Sequence, residues 1–127
     1  MDEIYAQLLL DAAKHPANYG ELPTATLRGE QVNASCGDHL QVALEVDDSA
    51  VITQVRWQGE GCVISRAHMS SLSEMLIGKQ LSEVMKLTKQ DMLALFGFDE
   101  GLAPGREKCL MIGLVTVQKM IAKQLES

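Results

Sequence analysis

Three cysteines, at positions 36, 62 and 109, are the residues of this chain best equipped for chemistry. The first stands in NASCGDHL (33–40), in polar surroundings, two residues before Asp38. A cysteine used only for packing belongs among apolar neighbours, so Cys36 needs another explanation. Gly37 opens backbone angles closed to other residues, which lets Cys36 and Asp38 face one side. Three thiolates and one carboxylate form a workable tetrahedral donor set for Zn²⁺, or a foothold for an iron–sulfur cluster. The carboxylate is the harder and more replaceable donor, so such a site can open one position without releasing its metal. The plain alternative is three inert thiols. An odd number cannot all pair within the chain, a reducing compartment keeps them reduced, and their separations are not those of a zinc finger.

The elements that must position these residues follow from hydrophobic periodicity. Residues 3–14 form an amphipathic helix that stops at His15-Pro16, and HPANYGELP is turn-rich. Residues 24–34 are a strand candidate. HLQVALEV (39–46) alternates, with Leu40, Val42, Leu44 and Val46 on one face. Asp47-Asp48-Ser49 turns the chain into VITQVRWQ (51–58), with Val51, Val55 and Trp57 aligned. After Gly59-Glu60-Gly61 the period becomes helical over 62–78, with Val63, Ala67, Leu72, Met75 and Leu76 as the apolar stripe and Gly78 as the stop. Residues 82–96 predict one or two short helices, with Ser82 as one cap and a second cap signature in TKQD, and 98–105 a loop. A long helix runs from about Glu107 to Leu125, with Leu110, Leu114, Val117 and Ile121 inward. Strands first and helices afterwards indicate an α+β class. The expectation is a small antiparallel sheet of about three strands, helices packed on one face, in a single domain over 1–127.

On this layout Cys36 lies in the turn between the first two strands and Cys62 where strand gives way to helix. Cys109 falls in the first turn of the last helix, beside Arg106 and Lys108. Helix N-termini carry unpaired N–H groups and the positive end of the dipole, which favour thiolate, the form that binds metal. Spacing alone does not say whether the three ends converge. The histidines are weaker ligand candidates. His39 alternates with its strand, His68 is almost two helical turns beyond Cys62, and His15 precedes a proline at a helix end. The methionines at 69, 75, 85, 92, 111 and 120 are expected to fill the core. GEGCVIS lacks the lysine and spacing of a phosphate loop, and Cys62 with His68 has no oxyanion-type context for nucleophilic catalysis.

With 127 residues, 46% of them hydrophobic, the chain can bury a core without disulfide staples. A net charge of −6 argues against nucleic acid as the main partner, since phosphate binding needs a basic face. No run approaches a membrane span, and MDEIYAQLLLDAAK carries acids where a signal peptide needs lysines. A cytoplasmic protein with no membrane partner is the expectation.

Four pieces in fixed order carry a resemblance: HPANYG after the first helix, CGD at 36–38, GEGCVIS at 59–65 and REKC at 106–109. Together they resemble the U-type iron–sulfur cluster assembly proteins, namely IscU, the N-terminal domain of NifU, and SufU. The resemblance implies an IscU/SufE-like α+β fold in which Cys36, Asp38, Cys62 and Cys109 share one metal or cluster site. It implies a SufS-like cysteine desulfurase as sulfur donor, and a downstream iron–sulfur scaffold or apo-protein as recipient. In a SufU-like version the site holds zinc, Cys36 accepts persulfide sulfur, and the protein is a zinc-dependent sulfurtransferase. In an IscU-like version it is a non-enzymatic scaffold that builds and passes on a transient [2Fe–2S] cluster. IscU-type members have histidine directly before the third cysteine, where this chain has Lys108, which favours the SufU-like version. Only fragments of a Leu-Pro-Pro-Val-Lys chaperone motif remain in Leu102-Ala103-Pro104-Gly105-Arg106, and the 46 residues between Cys62 and Cys109 are closer to the IscU length.

Overall fold

The structure, a computed structural model, describes residues 3–33, 37–95 and 104–126. Helix α1 (Glu3–Lys14) stops where Pro16 cannot continue it, and the His15 N–H closes the last turn on Asp11 O at 2.9 Å. Strands β1 (Leu27–Asn33), β2 (Asp38–Val46) and β3 (Ile52–Glu60) form one sheet in that order, antiparallel throughout. The expected α+β class, three strands with helices on one face, is what the chain adopts. Leu40, Val42 and Leu44 of β2 share the buried face with Val55 and Trp57 of β3, which pair with Leu44 and Val42.

The alternation read from Val51 onward is corrected at one point. Glu45 pairs with Gln54 but Val46 with Ile52, so β3 carries one extra residue there. This bulge turns Ile52, rather than Val51, into the core. The preceding turn is closed by Asp47, whose Oδ1 accepts from the N–H groups of Ser49 (2.8 Å) and Val51 (3.0 Å).

Helix α2 (Val63–Leu76) and helix α5 (Pro104–Glu126) cover the buried face of the sheet. Leu72 and Leu76 of α2 meet Leu110, Leu114, Val117 and Ile121 of α5 in the core, all at most 1% exposed. Val63 lies off the buried stripe and is exposed, as is Met85, whereas Met69, Met92 and Met120 are buried as expected. Between these helices stand α3 (Leu81–Val84) and α4 (Lys89–Ala94), each opened by a reciprocal capping box, Gln80 with Glu83 and Thr88 with Asp91. The cap of α3 is therefore Gln80, not Ser82. Gln118 of α5 donates to the Val84 and Leu87 carbonyls, tying α3 to the long helix.

Helix α5 begins three residues earlier than expected. Pro104 has no N–H to lose and a fixed φ suited to a first helical residue. Cys109 is consequently the sixth residue of the helix, in its second turn. Among the described residues no helix is long and apolar enough to cross a membrane.

The HPANYG stretch packs the end of α1 against both α2 and β3. Trp57 Nε1 donates to Ala17 O (2.9 Å), Ala17 N to Ser70 Oγ (2.8 Å), and Asn18 Nδ2 to Ser73 Oγ (3.0 Å). Asn18 takes a φ of +59°, a left-handed turn that asparagine tolerates. A cleft of about 580 Å³ lies beyond this stretch, lined by Glu21, Leu22, Arg28, Gln41, Ala43 and Arg56 among others. Its two arginines spend donors on Leu22 O and on Asn18 Oδ1 and Val55 O, so they clamp the 18–22 rim to the sheet.

Candidate metal centre

Asp38 opens β2 opposite Asn33, the last residue of β1, so the carboxylate sits at the end of the sheet where the chain returns. Gly37 has a φ of +71°, the left-handed turn conformation that glycine adopts without steric cost. At the same sheet end, β3 finishes at Glu60 and Gly61 passes the chain to Cys62, the N-cap of α2. A Cβ on Gly61 would lie 2.3 Å from Asp38 Oδ1 and 2.5 Å from Ser65 Oγ. Only a residue without a side chain lets the strand-to-helix junction approach the carboxylate this closely.

The long helix supplies the third group. One ligand atom each from Asp38, Cys62 and Cys109 can be chosen so that all lie within 4.8 Å of one another. Three of the four residues singled out in the sequence are thus brought together from the start of a strand, the start of one helix and the second turn of another. The fourth, Cys36, lies outside the described residues. Cys62 is exposed, whereas Cys109 and Asp38 are buried at 6% and 1% exposure. The cluster is open on one side and walled by core on the other.

The two carboxylate oxygens of Asp38 are treated differently. Oδ1 accepts from the Cys62 backbone N–H at 3.1 Å and from the Ser65 hydroxyl at 3.3 Å. Oδ2 is buried, and no described residue donates to it. A buried carboxylate oxygen left without a partner costs free energy, so a cation beside it is a physical resolution of that cost. Two sulfurs and one oxygen are also donors that Zn²⁺ accepts. The residues present therefore fit a metal.

The histidines lie elsewhere. His39 Nε2 contacts Glu30 Oε1 at 2.8 Å on the exposed side of the sheet. His15 is exposed at the end of α1. His68 is 1% exposed in α2, neither ring nitrogen meets a described hydrogen-bond partner, and burial pushes its pKa down to about 4. It is not one of the residues that cluster with Asp38. Ser65 is a site residue that the spacing of cysteines and carboxylates does not reveal; its one signal in the sequence is a hydroxyl three residues after the helix-capping Cys62.

Comparison with known proteins gives the family. The model of the NifU-like N-terminal domain matches residues 4–126. The chain belongs to this U-type family. The resemblance carried by HPANYG, CGD, GEGCVIS and REKC is thereby borne out. One U-type relative, the iron–sulfur cluster assembly scaffold protein IscU of Thermotoga maritima, is 31% identical over 94% of this chain and 94% of its own length. Another, the zinc-dependent sulfurtransferase SufU of Bacillus subtilis, is 25% identical over 98% of this chain and 93% of its own. Among solved U-type structures, a protein of Fervidobacterium islandicum assigned as an iron–sulfur cluster assembly scaffold for the SUF system superposes with a TM-score of 0.79. It is 25% identical, and the match covers 93% of this chain and 96% of that one.

Proposed function

We propose that this protein serves iron–sulfur cluster biogenesis as a zinc-holding acceptor of persulfide sulfur from a cysteine desulfurase. The observation that carries the reading is the convergence of Asp38, Cys62 and Cys109 with Oδ2 of Asp38 buried and unpartnered by any described residue. Cys36, two residues before Asp38 in the sequence, is the proposed fourth ligand and the sulfur-accepting thiol. Bound zinc would supply charge that keeps the thiols deprotonated and guards them from oxidation.

The chain's own residues do the rest. The Cys36 thiolate attacks the outer sulfur of the desulfurase persulfide; the S–S bond of the donor breaks as that of Cys36 forms, and the donor cysteine leaves as thiolate. One thiolate attacks and one thiolate leaves while the transferred sulfur keeps its own proton, so the step balances without an oxidant, a reductant or a net proton transfer. Asp38 stays fixed through Oδ1 during this exchange, and Cys109 anchors the site from the core. The persulfide then passes to a downstream scaffold or apo-protein.

A second reading, a scaffold that assembles a [2Fe–2S] cluster on the same residues as cargo, is supported by the higher identity to the Thermotoga scaffold and by the 46-residue interval between Cys62 and Cys109. One experiment separates the two. The protein is purified without oxygen, assayed for zinc, iron and acid-labile sulfide, and assayed again after incubation with a cysteine desulfurase and cysteine. Retained zinc with a persulfide mapped to Cys36 supports the acceptor. Iron and sulfide gained in equal amounts support the scaffold, and no metal with no persulfide overturns both.

A further inference from the structure

Ser65 is a buried polar residue in the first turn of α2 that touches two of the clustered groups at once. Its Oγ lies 3.3 Å from Asp38 Oδ1, 3.0 Å from the Cys62 carbonyl oxygen and 3.8 Å from Cys62 Sγ. The one hydroxyl proton is shared between the Cys62 carbonyl and Asp38; the contact to the carbonyl is local, one turn back along the helix, and a serine in any helix could make it. The bond to Asp38 spans 27 residues and joins the start of β2 to the start of α2.

Among the described residues, the Cys62 N–H and the Ser65 hydroxyl are the two donors that reach Asp38, and both reach the same oxygen. The backbone N–H is set by where α2 begins, so of these two donors the hydroxyl is the one on a side chain, and it helps to fix how the carboxylate is turned. Gly61 keeps the space around this pair clear, because a Cβ there would collide with both partners. The outcome is an asymmetric carboxylate, satisfied on Oδ1 and, among the described residues, without a donor on its buried Oδ2.

We propose that Ser65 is a positioning residue of the metal centre: its hydroxyl holds Oδ1 of Asp38 so that Oδ2 is the oxygen offered to the metal. This rests on the reading of the cluster as a metal site. Cys62 Sγ lies 3.8 Å from the same hydroxyl oxygen and can donate to it only in the metal-free protein, where the thiol keeps its proton. Groups that orient a metal ligand from behind typically change affinity by about 10–100-fold when removed, and Ser65 is expected in that range.

The test is a double-mutant cycle read as zinc affinity, by chelator competition, on the full chain. Ser65→Ala weakens zinc at least about tenfold. In an Asp38→Ala background the same change has less than about a twofold effect, because the group Ser65 acts through is gone. A merely structural serine would exact the same penalty in both backgrounds, and that result overturns the proposal, as does a Ser65→Ala protein that binds zinc like the wild type. Cobalt spectra of the wild type, Ser65→Ala and Asp38→Ala give an independent readout should the double variant not fold. The Ser65→Ala spectrum is expected to move toward that of Asp38→Ala, and identity with the wild type counts against the inference. A wild type that binds neither zinc nor cobalt overturns the metal-site reading itself, a distinct result.

Discussion

Asp38 and Cys62 are joined by a bond of backbone to side chain: the Cys62 N–H donates to Asp38 Oδ1 at 3.1 Å, at the point where α2 begins. The N-terminal N–H groups of a helix have no partner within it, so a strand residue here satisfies a helix end. With the Ser65 hydroxyl on the same oxygen, that contact ties the start of β2 to the start of α2 and sets two metal-ligating residue types side by side.

Replacing Asp38 with asparagine keeps an oxygen in the Oδ1 position and removes a buried charge whose second oxygen has no described donor. Zinc affinity is expected to fall at least about tenfold, because a carboxylate ligand becomes a neutral amide. The metal-free Asp38→Asn protein is expected to be more stable than metal-free wild type by about 1 kcal/mol, since a buried carboxylate with no described donor on its second oxygen costs more than a neutral amide. Chelator competition and denaturant unfolding of the two proteins check both signs. Lower stability in the metal-free variant would show that Oδ2 is compensated by the protein itself.

The two described thiols differ in access, Cys62 exposed and Cys109 buried. In the metal-free protein, iodoacetamide is expected to label Cys62 about tenfold faster than Cys109 or more, because alkylation needs an accessible thiolate. Zinc is expected to slow the labelling of Cys62. Peptide mass spectrometry along a labelling time course reads both effects. Equal rates at the two positions would mean that the start of α5 opens readily enough to expose Cys109.

Gly61→Ala tests the close approach at the junction. Its Cβ would press on Asp38 Oδ1 and Ser65 Oγ, both held in hydrogen bonds. Overpacking of this kind costs about 1–3 kcal/mol, and the displaced carboxylate would weaken zinc as well. Thermal unfolding and zinc competition measure the two consequences. A variant with wild-type melting and wild-type affinity would show that the carboxylate can shift without loss.

Much of this architecture was legible in the sequence because burial on one face imposes a simple period. HLQVALEV reads as a strand since Leu40, Val42 and Leu44 meet the core while Gln41 does not. The bulge that brings Ile52 inward was not legible, because it is a property of the pairing between β2 and β3 and leaves no local signature. Pro and Gly together signal a turn and so place Pro104 in a loop by sequence, yet a proline at a helix start obeys the same backbone constraint. For the site, the polar setting of Cys36 and the Gly-rich entry to Cys62 marked the residue types. Their convergence, and the part taken by Ser65, depend on contacts between residues 24 and more apart, which spacing cannot encode.

His68 provides a pH-dependent signature separate from the metal. Its ring is buried in α2 without a described hydrogen-bond partner, and burial lowers its pKa from 6.5 to about 4. Between those values the unfolded chain holds a proton on this residue that the folded chain does not. Protons taken up preferentially by the unfolded state favour unfolding, so the contribution of a neutral His68 is complete above pH 6.5 and is lost as pH falls toward 4. At 1.36 kcal/mol per pH unit, this one group removes about 2 kcal/mol of stability by pH 5 relative to pH 7.5. A His68→Leu protein, with a side chain of similar volume and no titration, should lack that component. Denaturant unfolding of both metal-free proteins at pH 7.5, 6.5, 5.5 and 5.0 makes the comparison, with the wild-type curve falling away from that of the variant below pH 6.5. Parallel curves would mean that His68 reaches solvent or a proton acceptor when charged, and that its burial does not govern the acid limb of stability.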